Sequence, residues 1–179
     1  DFSAYAPSNG APAAFLATPV VDAGGTVLGV VAIQVPTTAL NAILHNPIGL
    51  GDSGELFLIA ADLQTRSASR FEGGFAILQD VSSLAYVNDA QNADKYTVDN
   101  AVGVSGAPVF AKTSPVPVFG RDWLLVAEMN LDEITAPAVV VRNKMLVLVS
   151  TVILISAIMG WLIARSVIRP LPQLGAAMR

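Results

Sequence analysis

Few side chains in this chain are equipped for covalent chemistry. There is no cysteine, which removes thiol catalysis and disulfide frameworks together. The one histidine, His45, has no cysteine or second histidine with which to share a metal, and no nucleophile partner. It reads as a surface or helix-end residue. Asp52, Glu55 and Asp62 lie close enough in sequence to gather a cation, but their spacing is not that of an EF-hand loop. They read as solvated turn carboxylates. Gly49, Gly51 and Gly54 spell G-x-G-x-x-G. A dinucleotide fingerprint must follow a strand and open a helix; here a helix is expected before it and a strand after it. The glycines are therefore expected to permit positive φ in a tight turn. Arg66 and Arg70, with Ser67 and Ser69 between them, carry the planar fork that suits a carboxylate. No acid–base pair or nucleophile constellation stands out, so the chain is not expected to be an enzyme, and no cofactor is implied.

Charge is divided sharply along the 179 residues. All fourteen acidic residues fall between Asp1 and Glu133, where five basic residues leave a balance of −9. From Arg142 onward there are five basic residues and no acidic one. The acidic part excludes nucleic acid as its partner, because phosphate binding needs a basic face. The division also frames the run MLVLVSTVILISAIMGWLIA, Met145 to Ala164, which holds no charge. At about 1.5 Å per residue it covers the roughly 30 Å of a bilayer's hydrocarbon core. Arg142 and Lys144 precede it, Arg165 and Arg169 follow it, and Trp161 sits near the second boundary. Ser150, Thr151 and Ser156 are expected to bond to the helix's own carbonyls.

The elements before this span alternate between strand and helix signals. Ala13 to Val21 and Thr26 to Val35 flank the turn Asp22-Ala23-Gly24-Gly25 and predict a β-hairpin. A short helix should run from Pro36 to Leu44, capped by Thr37 or Thr38. Glu55 to Ala61 predicts a buried strand and Thr65 to Ser69 a return strand. Phe71 to Asn100 is weakly patterned and predicts a loop with one short helix near Val81 to Val87. Ala107 to Val116 and Trp123 to Asn130 are two further strands. A helix starting at Leu131 runs on into the apolar span, with Pro137 in its first turns. The sum is an α+β fold: an antiparallel sheet of about five strands with flanking helices, plus one C-terminal transmembrane helix.

Several of these segments together resemble a Cache domain, the extracytoplasmic PAS-like sensor module of bacterial receptors. The most specific is GLGDSGELFLIAADLQTRSASR, Gly49 to Arg70, which looks like the family's glycine-rich turn, strand and Arg-Ser hairpin. YAPSNGAPAAFLATPV (Tyr5 to Val20) resembles its first-strand region, and VLGVVAIQVPTTALNAIL (Val27 to Leu44) its second strand and following helix. DWLLVAEMNLDEITAP (Asp122 to Pro137) looks like the last strand and exit helix. ARSVIRPLPQLGAAMR (Ala164 to Arg179) resembles the opening of a HAMP linker, including Pro170. The match looks like the membrane-proximal module of a double Cache receptor, so the chain is expected to be N-terminally truncated.

The resemblance implies a division into a sensor domain (1–131), a juxtamembrane helix (132–144), a transmembrane helix (145–164) and the start of HAMP (165–179). It implies a ligand pocket over the central sheet, with Arg66, Ser67 and Asp122 lining it and Phe57 and Tyr86 as walls. Its ligand would be a small molecule, an amino acid or carboxylate. The alternative leaves both arginines solvating a hairpin or pairing with Asp62 and Glu72. Asp132, Pro137 and Pro170 would relay the signal. The resemblance further implies an inner-membrane homodimer with its N-terminal domain outside, its C-terminus in the cytoplasm and an output module after HAMP. A methyl-accepting chemotaxis protein is the first expectation. A nucleotide cyclase or histidine kinase is the second, and a single-span adhesion or scaffold protein a more remote one.

Overall fold

The computed structural model describes residues 1–91, 93–118 and 120–168. They fall into two units that meet after Ile134. In the first, four strands form an antiparallel sheet: β5 (Glu55–Ile59), β6 (Tyr96–Val102), β7 (Pro108–Val118) and β8 (Arg121–Asn130). Their spatial order is β5-β8-β7-β6, so the last strand lies inside the sheet with partners on both sides. The register sets Glu55 opposite Glu128, Phe57 opposite Val126 and Val109 opposite Asn130.

Side chains on a strand alternate between faces, and both faces of this sheet are covered. Phe57, Ile59, Val109, Ala111, Leu124 and Val126 lie on one face, under Phe75, Val81, Leu84 and the short helix α2 (Ala85–Ala90). Phe57 and Phe75 meet edge to face with ring centroids 5.0 Å apart. Leu58, Ala60 and Trp123 lie on the other face, against Phe2, Ala14 and Leu44 of helix α1 (Thr37–Leu44).

The N-terminal strands stand apart from this sheet. β1 (Ser3–Tyr5) pairs with β2 (Ala11–Ala13), and β3 (Phe15–Val21) with β4 (Val27–Gln34). The second pair is the predicted hairpin. Its turn is closed by Asp22, whose Oδ1 accepts from the N–H groups of Gly24 and Thr26. Every residue of β3 and β4 is exposed, including Val27, Leu28, Val30 and Ile33. The α+β class and the antiparallel sheet match expectation. The hairpin supplies no strand to the main sheet, and the expected return strand Thr65 to Ser69 is reduced to a single bridge between Ile59 and Thr65.

Other expectations shift. Strand β6 lies in the stretch expected to be loop: Tyr96 to Val102 is polar because it is a half-exposed edge strand, with a bulge between Val98 and Ala101. The short helix begins at Ala85 rather than Val81. Helix α1 has Pro36 at its N-cap, and no threonine side chain caps it.

The second unit is helical. Helix α3 runs from Leu131 to Ile168 without interruption, so the juxtamembrane and apolar segments are one helix. Leu131–Ser166 is long and apolar enough to cross a membrane. Ser150 and Thr151 donate to the carbonyls of Leu146 and Val147, four residues back. Pro137 is the seventh helical residue, past the first turn in which proline goes unnoticed. It withholds the N–H that a helix gives to the carbonyl four residues earlier, and this locally weakens the helix. Pro170 and the rest of the HAMP-like segment beyond Ile168 lie outside the described residues.

Candidate functional site

On the α2 face of the sheet, toward the Glu55 end of β5, a cleft of about 680 Å³ opens. Its floor is Glu55 of β5 with Glu128 and Asn130 of β8. One wall is the loop carrying Ser69, Phe71, Gly74 and Phe75; Val104 and Ser105, before β7, supply another. Asp52 and Ser53 of the glycine-rich turn reach the rim.

Two carboxylates dominate the floor. Glu55 and Glu128 stand directly opposite each other across the β5–β8 ladder. They are only 4 % and 6 % exposed. Glu128 is held by donors: the Tyr86 hydroxyl gives to Oε2 at 2.8 Å and the Val104 N–H to Oε1 at 3.2 Å. Burial pushes the Glu128 carboxyl above the usual carboxylate range, against those two hydrogen bonds, and Glu55 adds to the push. Burial also raises the Tyr86 hydroxyl, and the neighbouring Glu128 raises it further. Glu55 Oε1 accepts from the Ser69 hydroxyl and from the Arg70 N–H. The expectation that Glu55 is a solvated turn residue is therefore corrected: it sits on a strand whose pleat turns it into the domain.

The rim of the cleft is tied to the first turn of α3. Glu133 accepts from the Asp52 N–H, the Ser53 N–H and the Ser53 hydroxyl. The Ser53 hydroxyl oxygen in turn accepts from the N–H of Asn130, the last residue of β8. The Ser53 hydroxyl bond and the two backbone bonds hold the Glu133 carboxyl below its usual range. Arg70 steadies the same turn by donating to the carbonyls of Gly51 and Asp52.

Two glycines explain why the turn can pack this way. Gly51 has φ +61°, and a Cβ there would run into the Glu133 carboxylate. Gly54 has an ordinary φ but no room, because a Cβ would meet the Leu50 carbonyl. The positive-φ expectation thus holds at Gly49 and Gly51, while Gly54 is a matter of close approach.

The residues expected to line a pocket do not converge. Arg66 is 2 % exposed, and its fork is taken by Asp1, at 2.7 Å from Nε, and Asp62, at 2.6 Å from Nη2. Burial opposes ionisation of Asp62, but the Arg66 hydrogen bond and the Gln64 N–H outweigh it and hold that carboxyl low. Ser67 is buried and its hydroxyl accepts from the Leu58 N–H. Phe57 and Tyr86 belong to the core under the cleft, although Tyr86 reaches its floor through Glu128. Asp122 is exposed and borders a separate depression near Trp123. Of the alternative pairings, Arg66 with Asp62 forms, whereas Arg70 covers the Phe71 ring at 4.5 Å. His45 ends α1, and its Nε2 lies 3.0 Å from the Ala68 carbonyl. Asp132 is in the first turn of α3. Among the described residues no three His, Cys, Asp or Glu side chains are grouped to hold a metal.

This architecture is the α+β fold of the periplasmic ligand-binding domains of bacterial chemoreceptors. The chain is similar to the periplasmic sensory domain of the Campylobacter jejuni chemoreceptor Tlp1: TM-score 0.54, 16% identity, covering 66% of this chain and 43% of that one. It is also similar to the ligand-binding domain of Pseudomonas aeruginosa PctB, solved with L-arginine: TM-score 0.51, 19% identity, covering 75% and 51%. A third is the ligand-binding domain of Pseudomonas fluorescens CtaA, solved with L-serine: TM-score 0.50, 21% identity, covering 74% and 54%. The chain spans about half the length of these domains. No protein-family model matches it, and no curated protein does.

Proposed function

We propose that this chain is the extracytoplasmic input and transmembrane relay of a bacterial chemotaxis receptor. One observation carries the reading: the strand that floors the cleft, β8, passes directly into α3, and the cleft's rim is hydrogen-bonded to the first turn of that helix. A ligand that repositions the rim would act on the start of α3. It can do so only by binding the two arrangements unequally. The likeness in fold to chemoreceptor sensory domains supports the reading.

On this reading residues 1–131 lie outside the membrane, 132–144 lead into it, 145–164 cross it, and 165–179 begin a HAMP linker in the cytoplasm. The bare faces of β3–β4 suit a hairpin covered by a further module of the full-length receptor. The receptor works as a homodimer with an output module after the linker, and its ligand is a small molecule.

A hybrid joining this chain to the cytoplasmic half of a chemoreceptor tests the proposal. Small-molecule-dependent swimming bias or kinase control is expected, and Glu133→Ala should uncouple it. A hybrid that reaches the membrane but ignores every ligand the purified chain binds would refute it. Cysteines placed one at a time from Val147 to Leu162 should cross-link with helical periodicity.

A further inference from the structure

We infer that the cleft takes an aliphatic primary amine, with its ammonium group lodged between Glu55 and Glu128. The inference rests on the sensor reading above and names the chemistry of its ligand.

The floor is built to receive a positive charge. Glu55 is more than nine-tenths buried, yet only Oε1 has hydrogen-bond partners. Oε2 has none among the described residues, on a side chain that lines an open cleft. That oxygen opens onto the cleft, where a donor on a ligand can reach it. The opposing carboxylate adds to the negative charge there. Directly paired residues on neighbouring strands hold their Cβ atoms roughly 4.5–5.5 Å apart, and like charges so placed repel. Among the described residues no Lys, Arg or His lines the cleft, and neither glutamate forms an ion pair. Asp52 and Glu72 at the opening have the same negative sign, and the nearby cation, Arg70, is engaged by the Gly51 and Asp52 carbonyls and the Phe71 ring.

Three kinds of occupant can be compared on this floor. A carboxylate would face the two floor glutamates, with the Arg70 guanidinium already engaged at the rim. A hard metal ion wants about six to eight oxygens, and no cluster of that kind is present among the described residues. A primary ammonium brings three N–H donors. Those donors match Glu55 Oε2 and the lone pairs that Glu128 keeps free of Tyr86 and Val104. The Phe75 ring in the wall offers an apolar surface for the alkyl body.

Calorimetric titration of the whole chain in nanodiscs tests the assignment, with n-butylamine as probe and butyrate as its isosteric control. Butylamine should bind and butyrate should not. Glu55→Gln and Glu128→Gln should each weaken butylamine by about tenfold or more. Ser105 is exposed on the cleft wall, so Ser105→Trp should block binding sterically without lowering the melting temperature, whatever the glutamine variants do to folding. Wild-type protein that ignores butylamine, or glutamine variants that bind it as well as wild type does, would overturn the inference. If butyrate or neutral ligands bind instead and the hybrid receptor responds to them, the cation assignment falls and the sensor reading stands. If no amine, acid or amino acid binds and the hybrid stays silent, both fall.

Discussion

Replacing Tyr86 by phenylalanine probes the floor of the cleft most directly. The Tyr86 hydroxyl is buried and donates to Glu128 Oε2 at 2.8 Å. The substituted ring would keep its packing against Val87 and its neighbours while leaving one oxygen of a buried carboxylate without a donor. A hydrogen bond to a charged acceptor is worth about 1.5–3 kcal/mol, and an orphaned buried acceptor costs a similar amount. For a unit of 134 residues each kcal/mol moves the melting temperature by about 4 °C, so a loss of about 6–12 °C is expected. Near-UV circular dichroism should be used, because the α3 signal would mask the transition in the far ultraviolet. In the Glu128→Gln background the same change should cost at least about 1 kcal/mol less, since the carboxylate is gone. A Tyr86→Phe loss below about 0.5 kcal/mol, or strict additivity with Glu128→Gln, would show that this hydrogen bond does not organise the floor.

Other outcomes follow from the same geometry. Burial holds the Glu128 carboxyl above its unfolded value, so its contribution to stability is complete below the ordinary glutamate range and fades as pH rises through its folded pKa; Glu128→Gln should flatten that decline in melting curves taken across pH. Glu133 has the opposite sign: its hydrogen bonds favour ionisation, so the tie to the glycine-rich turn should hold above the ordinary range and loosen as pH falls. Protection of the Asp52 and Ser53 amides from hydrogen exchange, taken relative to their intrinsic rates, should fall both as pH is lowered and in Glu133→Ala. Gly54→Ala forces a methyl against the Leu50 carbonyl and should cost about 1–3 kcal/mol in denaturant titration. Arg66→Met should cost about 2–4 kcal/mol, less than a fully enclosed pair because Asp62 is half exposed, and should leave ligand affinity unchanged.

The parts of the molecule legible from sequence are those where one physical signal dominates. An uncharged run between basic residues can hardly be anything but a long apolar helix, and the hairpin announces itself through Asp22-Ala23-Gly24-Gly25 between two β-branched runs. Strand β6 was hidden because an edge strand needs little apolar surface, and its bulge sets the polar Asp99 and Asn100 in the middle of it. The cleft was hidden for a different reason. Arg66 carries the more eye-catching functional group, but the chain spends that group on Asp1 and Asp62. Glu55 looked like a turn residue because its neighbours Asp52 and Gly54 are. The period of two puts Glu55 on the same face as Phe57 and Ile59, but the apolar Leu56 and Leu58 between them mask the alternation that would have shown it. Its pairing with Glu128, more than seventy positions away, depends on strand order, which no local pattern reveals.

The hairpin of β3 and β4 has a consequence for how the chain behaves in solution. A two-stranded ribbon leaves two rows of backbone N–H and C=O groups open to any extended segment that approaches. Pro19 interrupts the row on β3, but Val27 to Gln34 contains neither a proline nor a charge. This strand is a template on which copies can add edge to edge, in a register that Gly29 and its uniformly apolar neighbours do little to fix. Association through this ribbon should grow with protein concentration even when each copy sits in its own nanodisc.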